Sequence, residues 1–207
     1  MADARTQLVA DGYDAIGETF AEWRERIVGD PREEWSDELF GRIEDGARVL
    51  ELGSGAGTPE TRRFAERFHV TGVDISPKQV ERARTAVPGA EFLVADFTEL
   101  ELAPGSFDAV MSFYVFNHVP RELLAPLLAK IHSWLVPGGW LLSAFGQSDE
   151  PGWTGEWLGA PTFFSGYPAE TNSRLVRAAG FKIERDKVVE FEEPEGPVKF
   201  QWVLAQA

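Results

Sequence analysis

Residues 51–57 read Glu51-Leu52-Gly53-Ser54-Gly55-Ala56-Gly57, an acid followed by three glycines at alternate positions. The apolar run Val49, Leu50, Leu52 reads as a buried strand, and Thr58-Pro59 open a helical stretch. Strand, glycine turn and helix set backbone N–H groups and a helix N-terminus in front of a polar ligand. Glycine suits such a turn because it accepts positive φ and lets a ligand touch the backbone. The spacing is not that of a dinucleotide loop. Counted from Gly53 the last glycine would fall on Thr58, and counted from Gly55 on Glu60. The Gly-Lys-Ser/Thr of a phosphate loop is missing as well. A tight turn without a ligand is the alternative.

Two more acids end apolar runs. Asp74 follows His69–Val73 and lies 21 residues past Gly53, close to the spacing at which an acid binds ribose hydroxyls. A carboxylate can accept two hydrogen bonds, which suits a vicinal diol. Capping the helix that starts near Pro77 is its other reading. Asp96 follows Glu91–Ala95 and alone reads as a turn residue. Past a fourth apolar run, Phe107–Phe113, come Tyr114, Asn117 and His118. Histidine titrates near neutral pH and could serve as a general base. The alternative is a structural histidine behind a capping Asn117. Three histidines and no cysteine predict no metal site, and no Gly-x-Ser-x-Gly elbow is present.

These residues need elements to position them. Apolar spacing predicts helices over 5–28 and 31–45, then strand and helix in alternation through a fifth strand at 140–145. Alternation implies a mainly parallel sheet covered on both faces. Ligands then sit at the carboxyl ends of the strands, where Glu51, Asp74 and Asp96 fall in order. Residues 146–167 lose all periodicity and carry Trp153, Trp157, Phe163, Phe164 and Tyr167. Such a stretch is a functional insertion or disordered; its aromatics argue against disorder and suggest a lid on the substrate side, the alternative being that they cover an exposed core edge. A helix over 168–179 and strands over 181–191 and 198–204 close the chain, the last pair adding an antiparallel edge strand. The expected organisation is one domain: a helical cap (1–45), a cofactor-binding core (46–145), the lid (146–167), and a helix with hairpin (168–207).

The chain has 207 residues and 43% hydrophobic residues, enough for one sizeable core. A formal charge of −14 disfavours nucleic acid as a partner. No apolar run is long enough for a membrane span, and the first residues carry no signal-like segment, so a soluble, cytoplasmic protein is expected. Seven tryptophans and 15 phenylalanines are many for this size, and aromatics beyond what a core absorbs often line an apolar ligand site. Monomer and homodimer stay equally open.

Glu-x-Gly-Ser-Gly-x-Gly after a strand, with Asp74 and Asp96 at the next two strand ends, resembles the class I S-adenosylmethionine-dependent methyltransferases, in the small-molecule subgroup. The resemblance covers about residues 46–145. It implies an α/β, Rossmann-like, seven-stranded, mostly parallel sheet with an antiparallel C-terminal strand and two extra N-terminal helices. It also implies a cofactor site at Glu51, Gly53, Ser54, Gly55, Gly57, Asp74, Ile75, Asp96, Phe97 and Ser112, with Ile75 and Phe97 against the adenine. Tyr13 would close over the cofactor's amino-acid end, although a core aromatic is an equal reading. The acceptor would meet Tyr114, Asn117 and His118 together with the lid aromatics. A metal-dependent catechol-type enzyme would carry an acid where Met111, Ser112 and Phe113 stand. An amino-methylating nucleic-acid enzyme would carry Asn/Asp-Pro-Pro-aromatic where Tyr114-Val115-Phe116 stand. The expected function is methyl transfer from S-adenosylmethionine to a small molecule, releasing S-adenosylhomocysteine. The rivals are a non-catalytic cofactor-binding module and an NAD-dependent oxidoreductase. The misplaced third glycine and the absence of a Tyr-x-x-x-Lys pair disfavour the oxidoreductase.

Overall fold

The computed structural model describes residues 3–207, so the first two residues of the expected N-terminal cap lie outside it. Helices α1 (Ala4–Arg24) and α2 (Arg32–Phe40) precede the sheet. The core then runs β1 (Arg48–Leu52), α3 (Pro59–Ala65), β2 (His69–Asp74), α4 (Pro77–Ala86), β3 (Glu91–Val94), β4 (Phe107–Phe113), a 3-10 turn (Phe116–His118), α5 (Arg121–Trp134) and β5 (Leu135–Gly146). After it come β6 (Glu150–Trp157), β7 (Ala160–Gly166), α6 (Ala169–Ala178), β8 (Lys182–Glu193) and β9 (Gly196–Gln206).

Alternate residues of a strand face opposite sides of a sheet, and β1 shows how this splits the core. Leu50 and Leu52 join Leu127, Leu128 and Ile131 of α5 on one face. Val49 joins Trp35, Leu39 and Phe64 of α2 and α3 on the other. Glu51 points to that second face. The helices that follow β1 and β2 start alike: Thr58 and Ser76 cap them through their hydroxyls, and Pro59 and Pro77 occupy the first turn.

The seven-stranded sheet has the order β3-β2-β1-β4-β5-β9-β8. Neighbours from β3 to β5 pair in parallel, and β9 runs antiparallel to both β5 and β8. The strand order reverses between β1 and β4, and open α/β sheets bind ligands in the crevice at such a point. The loops leaving β1 and β4, which carry the glycines and Tyr114–His118, meet there.

The structure departs from the sequence reading at several elements, and β5 starts at Leu135, five residues before the expected 140. Helix α1 stops at Arg24 because Val28 instead bridges Glu192 of β8. Helix α2 ends at Phe40, short of the expected 45. The reversed strand β9 is interior, not an edge: its run Gln201–Ala205 is fully buried, while the charge-rich β8 lies outermost and is mostly exposed. Residues 150–166 are not irregular; β6 and β7 form an antiparallel hairpin, a separate two-stranded sheet. Its glycines and prolines mask the alternation of period two.

Candidate active site

The glycine loop folds back on β2. Gly53 and Ser54 N–H donate to the Val73 carbonyl at 2.8 and 3.1 Å, and Gly55 N–H donates to Asp74 Oδ2 at 2.8 Å. Asp74 Oδ1 accepts from Ser76 N–H at 2.9 Å. Burial pushes the Asp74 carboxyl upward against the opposing pull of these two donors. Two oxygens offer about four lone-pair directions, so the carboxylate retains acceptor capacity toward the cavity that it lines.

Glu51 is buried and accepts a 2.7 Å hydrogen bond from Thr61 Oγ1, itself part of the α3 capping box. Burial raises its carboxyl to about 8, with Thr61 and then Arg32 acting in the other direction. Ser54 Oγ is buried without a hydrogen-bond partner, and so is Asn117 Oδ1 past β4.

Across the cavity, Tyr13 of α1 and His118 meet at 2.9 Å, hydroxyl to Nε2. His118 Nδ1 lies 2.9 Å from the Phe163 carbonyl of β7. A carbonyl only accepts, so Nδ1 carries the proton and Nε2 accepts from Tyr13. Burial lowers the His118 pKa to about 4, which holds the ring neutral. The imidazole thus ties α1 and the hairpin to the end of β4.

Tyr114 takes a left-handed backbone, φ 59°, rare for a residue with a side chain. Its hydroxyl donates to Asp30 Oδ1 at 2.6 Å, and the Arg32 guanidinium lies 4.9 Å from its ring centre. The strained turn carries its ring to the cavity wall.

One cavity gathers Tyr13, Glu51, Gly53, Ser54, Gly55, Asp74, Ile75, Phe97, Tyr114, Asn117, His118, Trp157 and Phe164. Six expected residues do not line it. Gly57 serves packing: a Cβ there would stand 2.9 Å from Val87 Cγ2 of the α4 end. Asp96 turns to its own loop, accepting from Thr98 N–H at 2.8 Å and Thr98 Oγ1 at 2.7 Å. Ser112 is buried within β4. Trp153 is 42% exposed and stacks on the outer side of Phe164. Phe163 faces away from Phe164, as strand alternation requires, and lies buried under the Arg5 guanidinium. Tyr167 packs against the main core with Arg121 over its ring.

Other residues complete the wall. Arg24 and Glu193 line it, as do Phe20, Trp23, Phe191 and Phe200. Burial and then Arg32 lower the Arg24 pKa. A helical stripe at 16, 20 and 23–24 was the available signal for the α1 residues. Nothing local marks Glu193, which lies at the end of β8.

The hairpin geometry separates two adjacent aromatics. Phe164→Ala should weaken acceptor binding and leave the melting temperature nearly unchanged. Phe163→Ala should cost about 3 kcal/mol or more of stability, as for a buried phenylalanine, with acceptor affinity kept in the folded fraction. Thermal unfolding together with acceptor titration reads both, and reversed behaviour of the pair would refute the placement of Phe164 on the cavity.

Residues 49–139 match the model of a methyltransferase domain family. The 2-methyl-6-phytyl-1,4-hydroquinone methyltransferase of Synechocystis sp. is 38% identical over 112 residues, 51% of this chain and 34% of that protein. The chain spans only 27% to 56% of the length of the first curated relatives that it matches. Two solved structures share the fold. The magnesium protoporphyrin IX methyltransferase of Synechocystis PCC 6803, with S-adenosylmethionine bound, has a TM-score of 0.73 at 17% identity, covering 99% of this chain and 98% of that one. The 1,6-didemethyltoxoflavin-N1-methyltransferase of Burkholderia thailandensis, with its substrate and S-adenosylhomocysteine, has a TM-score of 0.68 at 21% identity, covering 95% and 84%. No described helix is long and apolar enough to cross a membrane, and no group of three or more metal-ligating residues occurs among the described residues. The methyltransferase-domain match over residues 49–139 lies on this core, with the glycine loop leaving β1 and Asp74 ending β2, and in that core the chain is similar to the class I S-adenosylmethionine-dependent methyltransferases.

Proposed function

We propose that this protein binds S-adenosylmethionine at the β1/β4 crevice and methylates a small-molecule acceptor, releasing S-adenosylhomocysteine. The observation that carries the reading is a single cavity shared by the glycine loop, Asp74, the residues that follow β4 and the β6–β7 hairpin.

The residues present suit the cofactor. A Cβ added at Gly55 would meet nothing within 4 Å, so the loop backbone is open to close approach. Ser54 Oγ and Asn117 Oδ1 are buried polar atoms without partners, and such atoms are costly unless something satisfies them. Asp74 would take the ribose hydroxyls, while Ile75 and Phe97 would supply apolar contact for the adenine. Glu51 and Arg24 would face the amino-acid end, Arg24 as the partner of its carboxylate. Bound there, the cofactor supplies a methyl group activated by the adjoining sulfonium. What the chain contributes is alignment and exclusion of water. Tyr13 and His118 hold α1 and the hairpin closed over the crevice. His118 Nε2 can accept an acceptor's proton only after the Tyr13 hydroxyl turns away from it, so His118 acts first as a positioning residue.

The acidic charge of −14 supports a small molecule over nucleic acid as acceptor. The quinol and porphyrin named for the relatives lend the same support. A cytoplasmic setting fits a chain without cysteine.

Calorimetric titration with S-adenosylhomocysteine and with NAD tests the cofactor. S-adenosylhomocysteine should bind and NAD should not. Asp74→Ala should weaken binding about 10- to 100-fold, corresponding to roughly 1.5–3 kcal/mol for charge-assisted hydrogen bonds. NAD binding in place of S-adenosylhomocysteine would overturn the reading in favour of an oxidoreductase. Cofactor binding without turnover over a panel of acceptors would leave a non-catalytic module. Any turnover found should survive dialysis against EDTA.

A further inference from the structure

Two groups of aromatic rings line the cavity together with the glycine loop. Trp157 of the hairpin meets Trp23 at 5.2 Å and Phe20 at 5.9 Å between ring centres. Tyr114 lies edge-on to Phe200 at 4.7 Å. Glu193 lines the same cavity from the end of β8. Its carboxylate makes no hydrogen bond or ion pair among the described residues, although it is partly withdrawn from water.

The surrounding charges sharpen the point. Two further acids stand near Glu193, namely Glu195 and Asp30. Glu195 accepts from Trp23 Nε1 at 2.8 and 3.0 Å, and Asp30 is held by Tyr114 and Arg32. The other cation on the wall, Arg24, interacts with Arg32, Glu60, Asp30 and Glu51 and makes no ion pair with Glu193. Burial, then the repulsion of Glu195 and Asp30, raises the Glu193 carboxyl to about 7. Arg32 already lies over the Tyr114 ring, so the lining offers a guest the rings around Trp157 and one unanswered acid. Ring faces attract cations, and desolvation strengthens that attraction. A neutral aromatic guest would pack equally well against the rings but would leave Glu193 unanswered.

We propose that this aromatic part of the cavity is the acceptor subsite and that it selects a small acceptor carrying a cationic nitrogen group, held against Trp157 and paired with Glu193. The proposal rests on the methyltransferase reading and concerns how the acceptor is held, not which of its atoms is methylated.

A pair of probes of equal shape and different charge tests it. Choline and its neutral carbon isostere, 3,3-dimethylbutan-1-ol, are titrated into the whole protein saturated with S-adenosylhomocysteine, with tryptophan fluorescence and calorimetry as readouts. Choline should bind about tenfold or more tightly than the isostere. Glu193→Gln should remove most of that gap without changing affinity for S-adenosylhomocysteine. Trp157→Ala should weaken choline as well. Equal or tighter binding of the isostere, no binding of choline, or a gap unchanged in Glu193→Gln would each overturn the proposal. Failure of the parent protein to bind S-adenosylhomocysteine would instead overturn the functional reading beneath it.

Discussion

Gly55→Val is expected to raise the dissociation constant for S-adenosylhomocysteine by about 100-fold or more, equivalent to ~3 kcal/mol, in a protein that still folds. Gly55 has φ +54°, and nothing stands within 4 Å of the position its Cβ would occupy. The branch point of the new side chain therefore meets no clash inside the protein. The variant's penalty to folding is the left-handed backbone, about 1–2 kcal/mol. Gly55 lines the cavity, so the new side chain adds bulk to the loop that the cofactor is proposed to approach. Gly53 offers no such clean probe. A Cβ there would stand 2.6 Å from Val115 Cγ2, at φ +71°, so even Gly53→Ala must displace the β4 loop. Calorimetry gives the affinity and circular dichroism the fold. A folded Gly55→Val protein that binds like its parent would place the cofactor elsewhere.

The second large effect is on stability as a function of pH, through two buried groups of opposite sign. The Glu51 carboxyl is pushed up by burial to about 8 in the folded protein against an ordinary 4.5. Its folded pKa is raised, so the stability it contributes is present below pH 4.5 and is lost as pH rises toward 8. At about 1.4 kcal/mol per unit, the upper limit of that loss is about 5 kcal/mol. His118 stands at about 4 against an ordinary 6.5. Its folded pKa is lowered, so its contribution is present above pH 6.5 and is lost as pH falls toward 4, to a limit of about 3 kcal/mol. Asp74 and Glu193 are shifted in the direction of Glu51. They cancel when a variant is compared with its parent. Glu51→Gln should thus gain on the parent steadily from pH 5 to pH 8 and then level off. His118→Asn should gain on the parent only below pH 6.5. Denaturant unfolding at half-unit pH intervals measures both differences. A Glu51→Gln difference that does not vary with pH would mean that Glu51 is ionised in the folded protein.

The strand–loop–helix unit at 48–65, the acid ending β2 and the proline-led helix starts depend on residues within a few positions of one another. Turn geometry and capping act over that range, so these features were legible in the chain. So was the mainly parallel sheet, because its buried strands and amphipathic helices alternate regularly. The reach of the site was less legible. Asp96 has the residue type and position to face the crevice, yet Thr98 is nearer and takes its carboxylate. Phe163 and Phe164 looked equivalent until strand pairing in the hairpin put them on opposite faces.

By itself, the sequence determined the glycine loop, the acid at the second strand end, the helix starts and the sheet's dominant direction, because each follows from short-range sterics, hydrogen bonding and apolar periodicity. The tertiary structure alone decided that β9 slips between β5 and β8, which swings Phe191, Glu193 and Phe200 to a cavity whose glycine loop is about 140 residues earlier in the chain. It alone joined Tyr13 to His118 across 105 residues. Those contacts arise from packing every apolar face against another in three dimensions, and no local spacing records which faces will meet.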